Sequence, residues 1–103
     1  MPTDSNALQC LGDPTRRAII DRLRAAPASV GEVARTLPVS RPAVSQHLKV
    51  LEAAGLVQQE RRGTQRIFRL DVAGLADIRR YLDALWDDAL AALAQDAESE
   101  ERS

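Results

Sequence analysis

Aromatic residues are nearly missing: Phe68, Tyr81 and Trp86 are the only three. A core without them must be filled by Leu, Ile, Val and Ala, which suits packed helices. Cysteine occurs once, as Cys10. No intrachain disulfide can form, which fits a reducing cytoplasm, the expected location. No apolar run approaches the roughly 20 residues needed to cross a bilayer, so no membrane partner is expected. The opening residues MPTDSNALQC have neither a basic start nor a long apolar stretch, so no signal peptide is expected. The chain has no internal repeat. It also has no glycine-rich phosphate loop, no HExxH pair and no nucleophile beside His47, its single histidine. Catalysis is not expected, and no cofactor is called for.

What is present is an ordinary globular composition, 45% hydrophobic and 28% charged in 103 residues. A chain of that length makes about one domain with a small core, so association with a second copy is a reasonable expectation. The net charge of −1 hides a strong polarity. Residues 1–40 carry +1, residues 41–69 carry +4 and residues 70–103 carry −6. A positive field confined to one segment points to a polyanionic partner there.

Punctuation and periodicity give the elements. A first helix is expected at about 5–12, stopped by Gly12. Asp13 and Pro14 then open a second, with Ile19, Ile20 and Leu23 as its buried stripe and Pro27 as its end. Ser29 caps a third, in which Val30, Val33, Ala34 and Leu37 share a face. After the short break "PVS", Ser40 caps a fourth with Pro42 in its first turn, closed at Gly55. The period then changes. Two extended runs, 56–62 and 65–70, are hinged at "RGTQ", where Gly63 permits a tight hairpin. Asp71 caps a last helix over about 72–94, with an apolar stripe too long for so small a core. The fold class is therefore mainly α with a small β-hairpin, in the order α-α-α-α-β-β-α. The third and fourth helices read as a helix-turn-helix and the hairpin as a wing. Residues 1–95 form one DNA-binding and dimerisation domain; residues 96–103, polar and charged, form a flexible tail.

The fourth helix, "SRPAVSQHLKVL", carries Ser, Arg, Gln, His and Lys with almost no acid. The second helix of such a pair enters the major groove by its N-terminal end. Arg41 can fork onto guanine, Gln46 onto adenine, Ser40 and Ser45 onto base edges or phosphate, and Ala43 can meet a thymine methyl. Lys49 adds positive charge, and His47 is expected to pack or touch phosphate. At the hairpin tip Arg61, Arg62, Gln65 and Arg66 can follow the backbone or enter the adjacent minor groove. Arg41, Ser45 and Gln46 are expected to set sequence preference; Arg61, Arg62 and Arg66 are expected to set affinity and salt dependence.

The runs "LGDPTRRAIIDRL", "SVGEVARTLPVSRPAVSQHLKVLEAAGLV" and "RRGTQRIFRL" resemble the ArsR/SmtB family of bacterial winged-helix repressors over about residues 7–94. The resemblance implies a homodimer held by the first and last helices, a palindromic double-stranded operator, and repression that ends when a ligand binds. On that basis Leu8, Leu11, Leu82, Leu85, Trp86, Ala89, Leu90 and Leu93 are assigned to the dimer interface. The family's metal sites do not carry over. One needs a Cys-x-Cys pair on the helix before the turn, which here reads "VGEVARTL". The other needs Asp-x-His and later His or Glu on the last helix. Asp77 matches its first position, but Arg79, Leu90 and Leu93 stand at the others, and none of these binds a transition ion. No metal is expected. Cys10 reads as a buried structural thiol and Asp83, Asp87 and Asp88 as a solvated face. Three alternatives stay open: a repressor relieved by an unknown small molecule, by a redox signal or by a metal at another site. A winged helix that works through a partner protein is a fourth.

Overall fold

The computed structural model describes residues 2–102. In chain order it contains α1 (Pro2–Leu11), α2 (Pro14–Ala25), α3 (Val30–Thr36), α4 (Arg41–Ala53), the strands β1 (Val57–Arg62) and β2 (Gln65–Leu70), and α5 (Val72–Arg102). The order and the hairpin match the sequence expectation. Two boundaries differ. α1 begins at Pro2 rather than near Ser5, since proline is tolerated at a first helical position. α5 continues past residue 94 to Arg102, because "AQDAESEER" contains neither Gly nor Pro to stop it.

Four helices start on side-chain caps. The Asp13 carboxylate accepts from the amides of Thr15 (2.8 Å) and Arg16 (3.1 Å), with Pro14 at the first helical position. Ser29 and Glu32 form a reciprocal capping box: the Glu32 amide donates to Ser29 Oγ at 3.2 Å, and the Ser29 amide donates to Glu32 Oε1 at 2.9 Å. Ser40 Oγ accepts from the Ala43 amide at 3.3 Å. Asp71 Oδ1 accepts from the Ala73 amide at 3.0 Å.

α4 ends in a Schellman motif. Gly55 takes a left-handed φ of 80°, its amide donates to Glu52 O, and the Leu56 amide reaches back to Leu51 O. Leu51 and Leu56, which this motif brings together, are both fully buried. α5 crosses close over this turn. A Cβ at Gly74 would overlap the Gly55 carbonyl oxygen, so only glycine fits there.

The core joins Ile19, Ile20 and Leu23 of α2, Val33 of α3, Val44, Leu48 and Leu51 of α4, Leu56 and Val57 after the turn, Phe68 of β2 and Ile78 of α5. Among the described residues no polar or charged side chain is buried with them. The hairpin is antiparallel, pairing Val57 with Leu70 at its base and Arg62 with Gln65 at its tip. Within the turn Gly63 carries a positive φ, 61°, and Thr64 does not, the pattern of a type II′ turn. The hairpin is anchored through a reciprocal bridge: Ala28 and Phe68 exchange amide-to-carbonyl bonds of 3.0 and 2.8 Å. Strict alternation fails in β2, where the neighbours Ile67 and Phe68 are both buried. The molecule extends 68 × 25 × 23 Å, elongated by the 31-residue α5. No helix among the described residues is long and apolar enough to cross a membrane.

Candidate nucleic-acid interface

α3 and α4 meet across the break at residues 37–40. Val33 from the first and Val44 and Leu48 from the second are wholly buried, which fixes the second helix against the first. Val44, Leu48 and Leu51 recur at four and three residues, so α4 buries one stripe and leaves the rest of its surface free. Gln46 and Lys49 lie fully on the exposed side. Ser45 and Ala43 are half-buried on opposite flanks of the stripe. Ser40 is exposed, but its hydroxyl oxygen is occupied as the helix cap. His47 faces α2: Arg16 Nη1 lies 3.4 Å from its Nδ1, and the same guanidinium donates from Nε to Cys10 O at 3.2 Å and faces Asp13 at 3.7 Å. The histidine is thus placed on the side of α4 away from the hairpin tip, in packing contact.

The hairpin tip holds Arg61 directly opposite Arg66 and Arg62 opposite Gln65, all exposed. These cations are not equivalent. Glu60 binds Arg62 at 3.2 Å and also pairs with Arg69. Arg61 and Arg66 make no ion pair with any described residue. The tip of the hairpin and the start of α4 border one open cleft of about 330 Å³, to which Arg41, Thr64, Gln65 and Arg66 contribute. Arg35, on the helix before the turn, lines it too. Sequence reasoning passed over Arg35 because nothing in its own helix marks it; only the tertiary approach of α3 to the hairpin does.

Two carboxylates at helix starts are held below the usual carboxylate range by hydrogen bonds. The backbone amide of Arg16 is the main cause for Asp13, followed by that of Thr15 and by the charges of Arg16 and His47. For Glu32 it is the amide of Ser29, then the Ser29 hydroxyl. Asp13 is a cap and Glu32 completes the capping box of Ser29, so both charges serve helix termini.

Away from this surface, α5 exposes Tyr81, Leu82, Leu85, Trp86, Leu90 and Leu93, with Trp86 and Leu93 each 66% accessible. Ala89 is exposed in the same stretch, whereas Leu8 and Leu11 of α1 are half-buried against the core. Cys10 is buried, its thiol 4.0 Å from the Val50 carbonyl oxygen. Asp77 pairs with Arg80 and Asp83 with Arg79. Among the described residues no three of His, Cys, Asp and Glu come together to hold a metal ion.

A helix-turn-helix followed by an anchored hairpin defines a winged helix-turn-helix protein. A helix-turn-helix domain family matches residues 11–60. The chain is 56% identical over 94 residues to the HTH-type transcriptional regulator Rv2034 of Mycobacterium tuberculosis, covering 91% of this chain and 88% of that protein. It is 45% identical over 78 residues to the HTH-type transcriptional repressor SmtB of the same species, covering 76% of this chain and 56% of that longer protein. Among solved structures, an ArsR-like transcriptional regulator from Rhodococcus sp. RHA1 superposes with a TM-score of 0.78 at 36% identity, over 91% of this chain and 92% of the other. The chain belongs to the ArsR/SmtB family of winged helix-turn-helix transcriptional regulators. It is a DNA-binding regulator and not an enzyme.

Proposed function

We propose that this regulator is a homodimeric repressor of a pseudo-palindromic operator and that it works without the family's metal-sensing sites. The observation that carries the reading is the shared cleft. It sets the start of α4 beside the hairpin tip, more than 20 residues away in sequence, so that Arg41 and Arg66 border one surface. That is the arrangement needed to grip a groove and its flanking backbone together. Gln46, Lys49 and Ser45 supply the groove-facing side; Arg61, Arg62, Gln65 and Arg66 supply the wing. The name of the similar SmtB supports repression over activation. The exposed apolar stripe of α5 supports pairing with a second copy: a monomer in water does not leave Leu82, Leu85, Trp86, Leu90 and Leu93 open without cause. Arg79, Leu90 and Leu93 in place of ligands support the loss of the metal sites.

The test is selection from random duplex DNA by the purified protein, at two salt concentrations, with and without chelator. One palindrome enriched equally with and without chelator, and bound more weakly at the higher salt, is the expected result. Enrichment that depends on the chelator overturns the metal-free part. No enrichment in any condition overturns the DNA reading and leaves the partner-protein alternative.

One candidate seat for a small-molecule effector is an open cleft of about 280 Å³ between α1 and α4, lined by Cys10, Arg16, Val50 and Ala53 among others. If an effector sits there, Ala53→Trp fills its place and the variant stays on its operator in a cell extract that releases the wild type.

A further inference from the structure

The sequence assigns Arg41 to base reading because it stands at the first position of the groove-entering helix. The structure seats its guanidinium against α3. Each residue of a helix advances by 100°, so Arg41 projects roughly 60° from the buried Val44, whereas Gln46 projects roughly 200° from it. Arg41 therefore leaves α4 on the side of α3. Its guanidinium lies against Gly31: a Cβ built there would sit 2.6 Å from Arg41 Nη2 and 3.1 Å from its Cζ. The missing side chain at position 31 is the seat of the guanidinium. From that seat Arg41 shares the 330 Å³ cleft with Arg35 of α3 and Arg66 of the hairpin tip.

Three like charges around one open cleft repel each other, and none of them makes an ion pair with a described residue, although Glu32 feels the charge of Arg35. The nearest acid on α3, Glu32, is committed to the Ser29 cap. Such a cluster is relieved by an anion of tetrahedral oxygens held by forked donors. We propose that Arg35, Arg41 and Arg66 form a clamp for one backbone phosphate of the bound duplex, and that Gly31 is the residue that aims Arg41 into it. Arg41 is then a register-setting contact common to all sequences, and base preference falls to Ser45 and Gln46. The proposal rests on the DNA-binding reading above and adds to it the role of each arginine.

The experiment compares wild type, Arg41→Ala and Gly31→Ala on two duplexes, the selected palindrome and a scrambled one, across a series of salt concentrations. Arg41 is exposed, so its loss leaves the fold intact. Arg41→Ala is expected to weaken binding roughly tenfold or more on both duplexes alike, and to flatten the salt slope by about one unit. Gly31→Ala is expected to unseat the guanidinium, weakening both duplexes by a smaller common factor while thermal stability holds or rises, since alanine is the better helix former. If Arg41→Ala weakens only the palindrome and keeps the salt slope, Arg41 reads a base and the clamp is wrong while the DNA reading stands. Unchanged binding by Arg41→Ala overturns the clamp in the same way. Failure of the wild type to bind either duplex overturns the clamp and the DNA reading together.

Discussion

Among single residues, an arginine's usefulness depends on its neighbours more than on its exposure. Arg62 and Arg66 are both exposed on the hairpin, yet Glu60 holds Arg62 and nothing described holds Arg66. Arg66→Ala should reduce the salt slope of DNA binding by about one unit, and Arg62→Ala by clearly less, because part of its charge is already neutralised. Fluorescence anisotropy over a salt series measures both; an equal drop would show that the Glu60 pair opens on DNA. The sequence reading gives both arginines equal roles at the tip, although the two-residue period of β1 already puts Arg62 on the face of Glu60 and Arg66 opposite Arg61 on the other. Asp13 and Glu32 make a second prediction at this scale. Hydrogen bonds to the ionised carboxylates hold both folded pKa values down. Their contribution is therefore present above the usual carboxylate range and disappears as pH falls through the lowered folded values. Stability should be flat near neutrality and fall below about pH 4. Asp13→Ala should lower Tm at pH 7 but approach the wild-type Tm at pH 3, as followed by circular dichroism.

At the level of elements, two close approaches decide the arrangement. The first lies between α5 and the turn that ends α4. Helix propensity alone says that Gly74→Ala should stabilise α5 by up to about 1 kcal/mol. The overlap with the Gly55 carbonyl oxygen opposes this, and a backbone atom cannot swing aside. Overpacking of that kind costs about 1–3 kcal/mol or more, so the variant should be less stable in urea unfolding. The second is the α3–α4 contact. Leu48 is wholly buried at its centre, and Leu48→Ala should cost about 2–5 kcal/mol. Neither the α5 crossing nor the Ala28–Phe68 bridge was visible in the sequence. The caps were visible, because Asp13, Ser29, Ser40 and Asp71 act within three residues of themselves.

On the scale of the whole molecule, the chain is polar in shape and in charge. The positive cleft lies between α3, α4 and the hairpin, while the acidic residues concentrate in α5, which also carries the open apolar stripe. A second copy laid along that stripe would cover Trp86 and its neighbours and present two positive surfaces to one duplex. Trp86→Asp places a charge in the middle of this stripe. It should shift the proposed dimer toward monomer in sedimentation equilibrium and weaken operator binding by removing the second half-site. The wild-type Tm should rise with protein concentration, since association stabilises the folded chain. A wild type that sediments as a monomer at tens of micromolar removes the dimer.

The sequence determined the element order, the helix-turn-helix, the hairpin and its turn, and the family, because each rests on local rules: caps, breakers, and periods of 3.6 and 2. It also determined which segment is positive. The tertiary structure decided which charges are free and where they point. Arg41 is turned to α3 by its angle from Val44 and seated by Gly31, ten residues earlier; Arg35 joins it only because α3 packs beside the hairpin; Arg69 is taken by Glu60 from across the hairpin. These are distances between residues that the chain brings together only on folding, and no local rule contains them.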